Sequence, residues 1–299
     1  MRRTTGRYRK QATPGQPGSR PFATLTVVVA SLLGLLGFLW PFLLPFAAAG
    51  GESRAGQVAP FAVALITGLC LVAILGEFSA GEVRPARVVA LLGVLVAINA
   101  TLRLLPTFLG ASPVFLLIIL AGAVFGASIG FQLGALTMLV SSLLIGGFGP
   151  WLPYQMLTAG WVGLSAGLLP RLDGRPRLRL AVLAVFGAGW GLAYGALLNL
   201  SFWPFTAPGV DYDAGLSWVP GMSGLETLQT YARFYLITSL PHDLTRAVAN
   251  AVLVVALGGP ILRLLGRYRD RFTWQPFTEA DEAENADRLP TRDGQPVGI

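Results

Sequence analysis

The 299-residue sequence holds one cysteine, one histidine and one lysine, and only 12% of its residues are charged. Each shortage removes a class of chemistry. The lone Cys70 lies inside an apolar run, so neither a disulfide framework nor a cysteine metal site is available, and it reads as a small packing residue. The only lysine, Lys10, is followed by Gln11, whereas a phosphate-cradling loop of the Walker type needs a lysine after glycine. ATP hydrolysis by that route is excluded. With His242 as the sole histidine and no cluster of acidic ligands in the apolar segments, no metal site is expected and a membrane enzyme is a poor reading. A soluble domain carries about 25% charged residues, so this chain cannot clothe a globule in water.

In place of charge there is apolar length. The hydrophobic residues, 54% of the chain, gather in runs of about 20, the length that crosses a hydrocarbon core of about 30 Å. The expected fold class is therefore an all-α integral membrane protein. Apolar runs cover residues 22–48, 57–79, 86–106, 112–127, 129–147, 152–170 and 178–200, with glycine and proline at the joints. The first is too long for a signal-peptide core and reads as a retained span. From Glu226 to Leu265 the helical pattern is continuous, which at 1.5 Å per residue is about 60 Å. No bilayer is that thick. Pro241 is expected to break this helix, leaving 243–265 as the span and 226–240 as an amphipathic cap.

Composition divides the chain further. Residues 1–20, with Arg2, Arg3, Arg7, Arg9, Lys10 and Arg20 among Gly, Pro and Gln, read as a disordered basic tail. Residues 272–299, with Glu279, Asp281, Glu282, Glu284 and Asp287, read as a disordered acidic tail. The polar stretch Glu82-Val83-Arg84-Pro85 separates an additional N-terminal helix pair, 21–80, from a six-span core, 86–266. The net charge of +7 is spread between apolar runs and forms no nucleic-acid surface. It sets orientation instead. Arg84 and Arg87, the cluster Arg171, Arg175, Arg177 and Arg179, and the cluster Arg263, Arg267, Arg269 and Arg271 all fall on the side of the N-terminus, while the loop 201–225 carries Asp211 and Asp213 with no basic residue. Because cytoplasmic loops keep positive charge, both termini are expected in the cytoplasm.

Several residue groups are candidates for function. Gly163-Leu164-Ser165-Ala166-Gly167 fits the G-x-S-x-G pattern of serine hydrolases, but it sits in an apolar helix and reads as a helix-packing surface. Ala86, Ala90, Gly93 and Ala97 recur on one helix face near the cytoplasmic end. Such a stripe suits internal packing or contact with a partner helix, and its position favours a partner. Embedded ionisable residues are expensive in a bilayer and usually functional. They are Arg103, Arg233, His242, Asp243 and Arg246, all toward the outer half. Asp243 and Arg246, three apart, either pair with each other or line a ligand cavity. Asn99, Gln155, Trp151, Tyr154, Trp203, Trp218, Tyr231 and Tyr235 lie in neighbouring outer segments. Any one aromatic residue there serves as an interfacial anchor, but together with the polar groups they make a candidate pocket.

Three stretches carry a family resemblance: Gly146-Gly-Phe-Gly-Pro-Trp-Leu-Pro-Tyr-Gln155 continuing from Met156 to Pro170, the alanine stripe, and Ser239-Leu-Pro-His-Asp-Leu-Thr-Arg-Ala-Val-Ala-Asn250. Together they resemble the substrate-binding S components of energy-coupling factor (ECF) vitamin transporters. The resemblance spans roughly 180 residues and implies a six-helix S-component-like bundle preceded here by two extra transmembrane helices. It implies a bacterial plasma-membrane protein that captures a vitamin or vitamin precursor at the outer face. It then rotates in the membrane, driven by a transmembrane coupling protein and two cytoplasmic ATPase subunits. The chain itself would use no cofactor, ATP being hydrolysed by the partners. By the same resemblance Ala86 and Ala90 would touch the coupling protein, and the loops around Trp151 and Trp203 would close the pocket. A competing reading is a proton-coupled secondary transporter or channel with His242 and Asp243 as relay. Against it, no charged residues are placed across both halves of the bilayer to form a path.

Overall fold

The computed structural model describes residues 21–47, 64–76, 86–105, 109–172, 174–206, 215–218 and 222–272. The basic tail 1–20, the boundary Glu82–Pro85, Asp211 and Asp213, and the acidic tail beyond residue 272 lie outside the described residues. Among those described, nine α-helices follow in order: α1 Pro21–Ala47, α2 Ala64–Gly76, α3 Ala86–Arg103, α4 Val114–Phe125, α5 Ala127–Ile145, α6 Leu152–Leu168, α7 Pro176–Thr206, α8 Gly224–Phe234 and α9 Leu240–Phe272. Among the described residues, four stretches are long and apolar enough to cross a membrane: Ala86–Arg103, Ala127–Ile145, Pro176–Ser201 and Gly224–Asp270. The nearly all-helical fold and the apolar exterior make this a multi-pass membrane protein.

The core is built around α4. That helix is apolar all round, and ten of its twelve residues are buried, the signature of a helix with no solvent or lipid face. It packs against α5, α6 and α9. Its 12 residues rise only about 18 Å, shorter than a bilayer core, which is tolerable because its neighbours and not lipid surround it. Gly126, at φ 96°, is the single residue between α4 and α5. Glycine then sets how closely the helices approach. A methyl group on Gly130 would collide with the Gly163 carbonyl, one on Gly163 with Gly130, and one on Gly134 with Ala159. Without Cβ atoms the backbones of α5 and α6 touch directly.

This contact also fixes the meaning of the G-x-S-x-G match. Gly163 lies against Gly130, Gly167 lies against Ala127, and the Ser165 hydroxyl donates to the Trp161 carbonyl at 2.5 Å while accepting from Trp190 Nε1 at 3.0 Å. It is a packing surface in mid-helix.

The second close pair is α7 with α9. Gly187, Gly191 and Gly195, spaced by four, present a flat stripe to Asn250, Ala247 and Asp243. Asn250 Nδ2 donates to the Gly187 carbonyl at 2.9 Å, a polar tie inside the apolar contact. The N-terminal pair docks on the same body. Ser31 of α1 accepts from Trp161 Nε1 at 3.1 Å, and Phe38 packs edge-on against Tyr154 with ring centroids 4.9 Å apart. The opposite faces, with Leu25, Val28, Leu32 and Leu36 on α1 and Leu65, Leu69 and Val72 on α2, are exposed. They form the surface a bilayer would cover.

The expected break at Pro241 is not there. Gly224 to Asp270 is one continuous helix, and the irregularity sits one turn earlier as a π-helical segment, Tyr235–Ser239, with Leu240 N–H bonding to the Tyr235 carbonyl. Proline lacks the N–H that an α-turn requires and its ring crowds the carbonyl four residues back. Widening the turn ahead of it relieves both demands without ending the helix. The cap helix is present as α8, which starts with a capping box: Ser223 Oγ accepts from Glu226 N–H, and Glu226 Oε2 accepts from Ser223 N–H at 2.7 Å.

Candidate functional site

Polar side chains concentrate at the end of the bundle where α3 and α5 finish and α4 and α6 begin. Arg103, in the last turn of α3, reaches across to α5 and α6: Nη1 donates to Ser141 Oγ at 2.6 Å and Nη2 to Gln155 Oε1 at 2.9 Å. One turn deeper, Asn99 is fully buried and its Nδ2 donates to Thr137 Oγ1 at 3.1 Å. Its Oδ1 is buried with no hydrogen-bond partner. A buried acceptor left open in this way fits a site that receives a donor from elsewhere.

The second half of the site lies between α7 and α9. Asp243 is 2% exposed and pairs with Arg246 at 2.5 Å, while Arg246 Nη1 also donates to the Gly191 carbonyl at 3.2 Å. The guanidinium stands over the Tyr194 ring, 5.6 Å from its centroid, a cation–π arrangement. Asp243 Oδ2 is buried and makes no hydrogen bond of good geometry, although the Tyr235 side chain lies within interaction range. Room for this carboxylate comes from Gly195, where any Cβ would collide with it. Tyr194 joins the two halves, being within electrostatic reach of both Arg103 and Arg246.

A loop and an aromatic wall complete the arrangement. Between α3 and α4 the chain folds onto the start of α9, so that a methyl on Gly110 would sit 3.1 Å from the His242 carbonyl oxygen and 3.2 Å from Arg246 Nη2. Gly110 has φ 80°, and Leu109 before it has φ 44°. A left-handed leucine costs roughly 1–2 kcal/mol, and such strain tends to collect at ligand clamps. On the other side Trp203, almost fully buried, donates to the Leu216 carbonyl at 2.8 Å and meets Tyr231 edge-on at 5.2 Å. Tyr231 donates to the Ala196 carbonyl at 2.5 Å and stacks on Tyr235 at 6.3 Å.

Not every candidate from the sequence joins this cluster. Tyr154 is buried, but it faces Phe38 of α1. Trp151 is 47% exposed at the mouth of α6. His242 and Arg233 are exposed, so of the embedded ionisable set only Arg103, Asp243 and Arg246 are drawn inward. Conversely, Tyr194, Gly195, Ser141, Thr137 and Gly110 went unnoticed in the sequence. Two signals could have found the first pair: a tyrosine in mid-span and not at an interface, and the four-residue glycine spacing of α7.

The small-residue stripe of α3 is displayed at the other end. Ala86, Ala90, Gly93 and Ala97 are all exposed, whereas Leu92, Leu95, Val96, Asn99 and Ala100 form the buried face. A methyl on Gly93 would meet nothing within 4 Å.

Neither a curated protein nor a solved structure matches the chain. Residues 87–258, more than half of the chain and the segment that holds both the polar cluster and most of the stripe, match the family model described as ECF transporter, substrate-specific component. The chain belongs to the family of substrate-specific components of ECF transporters.

Proposed function

We propose that this transport component, which as a family member is not an enzyme, captures a small vitamin or vitamin precursor at the end of the bundle that carries Arg103, Asp243 and Arg246. The observation that carries the reading is that two part-buried guanidiniums and a buried carboxylate gather around Tyr194, with an open acceptor on Asn99. Buried charge in a membrane protein is retained where it binds something. Flat surface for a ring comes from Tyr194, Tyr231, Tyr235 and Trp203. In this reading the polar end faces the outside of a bacterial plasma membrane and both termini lie in the cytoplasm, which the arginine distribution supports. A transmembrane coupling protein meets the α3 stripe, and two ATPase subunits hydrolyse the ATP.

The test is purification of the tagged chain from its native membrane, with mass spectrometry of the retained small molecules and proteins. A heterocyclic ligand in near-stoichiometric amount, together with ATPase subunits and no ATP hydrolysis by the isolated chain, is expected. Intrinsic ATPase activity, or proton-driven uptake by the isolated chain in vesicles, would overturn it. The second of these results is the one the secondary-transporter reading requires.

A further inference from the structure

At the end of the bundle opposite the polar cluster, α7 and α9 part to form a cavity of about 890 Å³ that nothing above uses. The reason for the opening is visible in the sequence of α9. A methyl on Gly258 would come within 2.9 Å of Leu180, one on Gly259 only within 3.9 Å, and one on Gly266 meets nothing within 4 Å. Gly258 therefore brings the helices together, and Gly259 and Gly266 place no side chain in the widening gap beyond it.

The lining has two characters. Leu172, Leu180 and Pro260 supply apolar wall, while Arg179 from α7 and Arg263 and Arg267 from successive turns of α9 supply guanidinium groups. Asp270, the acidic residue at the rim, is bonded to Arg269 at 3.1 Å, outside the lining set. Arg179 is held in place by its bond to the Ala123 carbonyl at 3.2 Å. Three cations around a partly apolar cleft, beside the exposed Leu257 and Leu264 that belong to the lipid-facing surface, ask for an amphiphile with a phosphate. Topology alone would need positive charge at this end, and Arg175 and Arg177, exposed like Arg263 and Arg267 but outside the cleft, satisfy it. It would not need three arginines on the wall of one cleft.

The geometry points to this cavity as a binding site for the phosphate group of an anionic phospholipid from the adjoining leaflet. The arginine forks engage the phosphate oxygens, and the leucines receive the upper part of an acyl chain. No step involves the transported molecule, so the inference stands or falls apart from the function proposed above.

The experiment uses the full chain in nanodiscs of phosphatidylcholine alone or with one phosphatidylglycerol in five lipids, reading retained lipid by native mass spectrometry and the melting temperature in parallel. Phosphatidylglycerol is expected to be retained and to raise the melting temperature. The double variant Arg263→Ala/Arg267→Ala should lower its apparent affinity roughly thirtyfold, from the usual contribution per basic residue at an anionic surface, whereas Arg175→Ala/Arg177→Ala should leave it unchanged. Should the first pair fail to fold, Arg263→Lys/Arg267→Lys keeps the charge and should weaken retention only a few-fold. Equal losses in the alanine pairs, or no loss in the lysine pair where the alanine pair does not fold, would reduce the effect to surface charge and overturn the site. Equal stabilisation by inorganic phosphate in phosphatidylcholine nanodiscs would overturn the lipid in favour of a soluble anion.

Discussion

Asp243 is held by three neighbours at once: Arg246 on its own helix, the bare backbone of Gly195 across the interface, and Tyr235 from the turn before it. Removing its charge should therefore separate binding from stability. If the carboxylate holds ligand, Asp243→Asn weakens the affinity for the copurified molecule by about 1–3 kcal/mol; if it only neutralises Arg246, the main loss is in melting temperature. Affinity and melting temperature measured on one sample decide, and unchanged affinity with lowered stability would take Asp243 out of the site. Gly195→Ala tests the same group from the opposite side. The added methyl needs the space of the carboxylate, so affinity should fall together with roughly 1–3 kcal/mol of stability, while Gly189→Ala, with open space at its Cβ, should be silent in both. Asp243 and Arg246 were legible in the sequence because a charge in an apolar run stands out. Gly195 and Tyr194 were not, because glycine and tyrosine are ordinary in membrane helices. Tyr154 was misleading for a further reason: in a helix with apolar residues on every side, periodicity does not say which neighbour a ring meets.

At the level of elements, the boundaries of α3 to α7 could be read closely from where glycine and proline interrupt apolar length. The long final helix could not. Proline usually ends a helix, and nothing local announces that a π-turn will absorb it. Beside the local bond of Thr238 Oγ1 to the Phe234 carbonyl at 2.7 Å, the turn takes a bond from α7, Asn199 Nδ2 to Ser239 Oγ at 2.7 Å, a contact no local pattern encodes. The attachment of α1 rests on similarly distant partners. A double-mutant cycle on Trp161→Phe and Ser31→Ala should give a coupling of about 1 kcal/mol in unfolding experiments; additive effects would mean that packing alone holds α1. The α3 stripe makes a contrasting prediction. Ala90 is exposed and far along the helix from Arg103, so Ala90→Trp should abolish uptake in cells while leaving ligand affinity of the purified chain near normal. A parallel fall in both would make it an internal packing position.

For the whole molecule, membrane embedding, helix content and family were readable because charge scarcity and run length act on every residue. Orientation rests on the arginines and can be measured. In a Cys70→Ala background, an impermeant maleimide applied to intact cells should label Leu225→Cys, which replaces an exposed residue of α8, and spare Arg175→Cys; the reverse pattern would invert the topology. The continuous helix from Gly224 to Asp270 has a mechanical consequence. At 1.5 Å per residue its 47 residues make a rod of about 70 Å, with the aromatic wall near one tip and Arg263 and Arg267 near the other. Such a rod is a lever with two irregular points, the π-turn 235–239 near one tip and Pro260, which removes a backbone bond inside α9. A small angular change at the first of them would sweep the far tip through several ångströms, so that an event at one face of the membrane would be felt at the other.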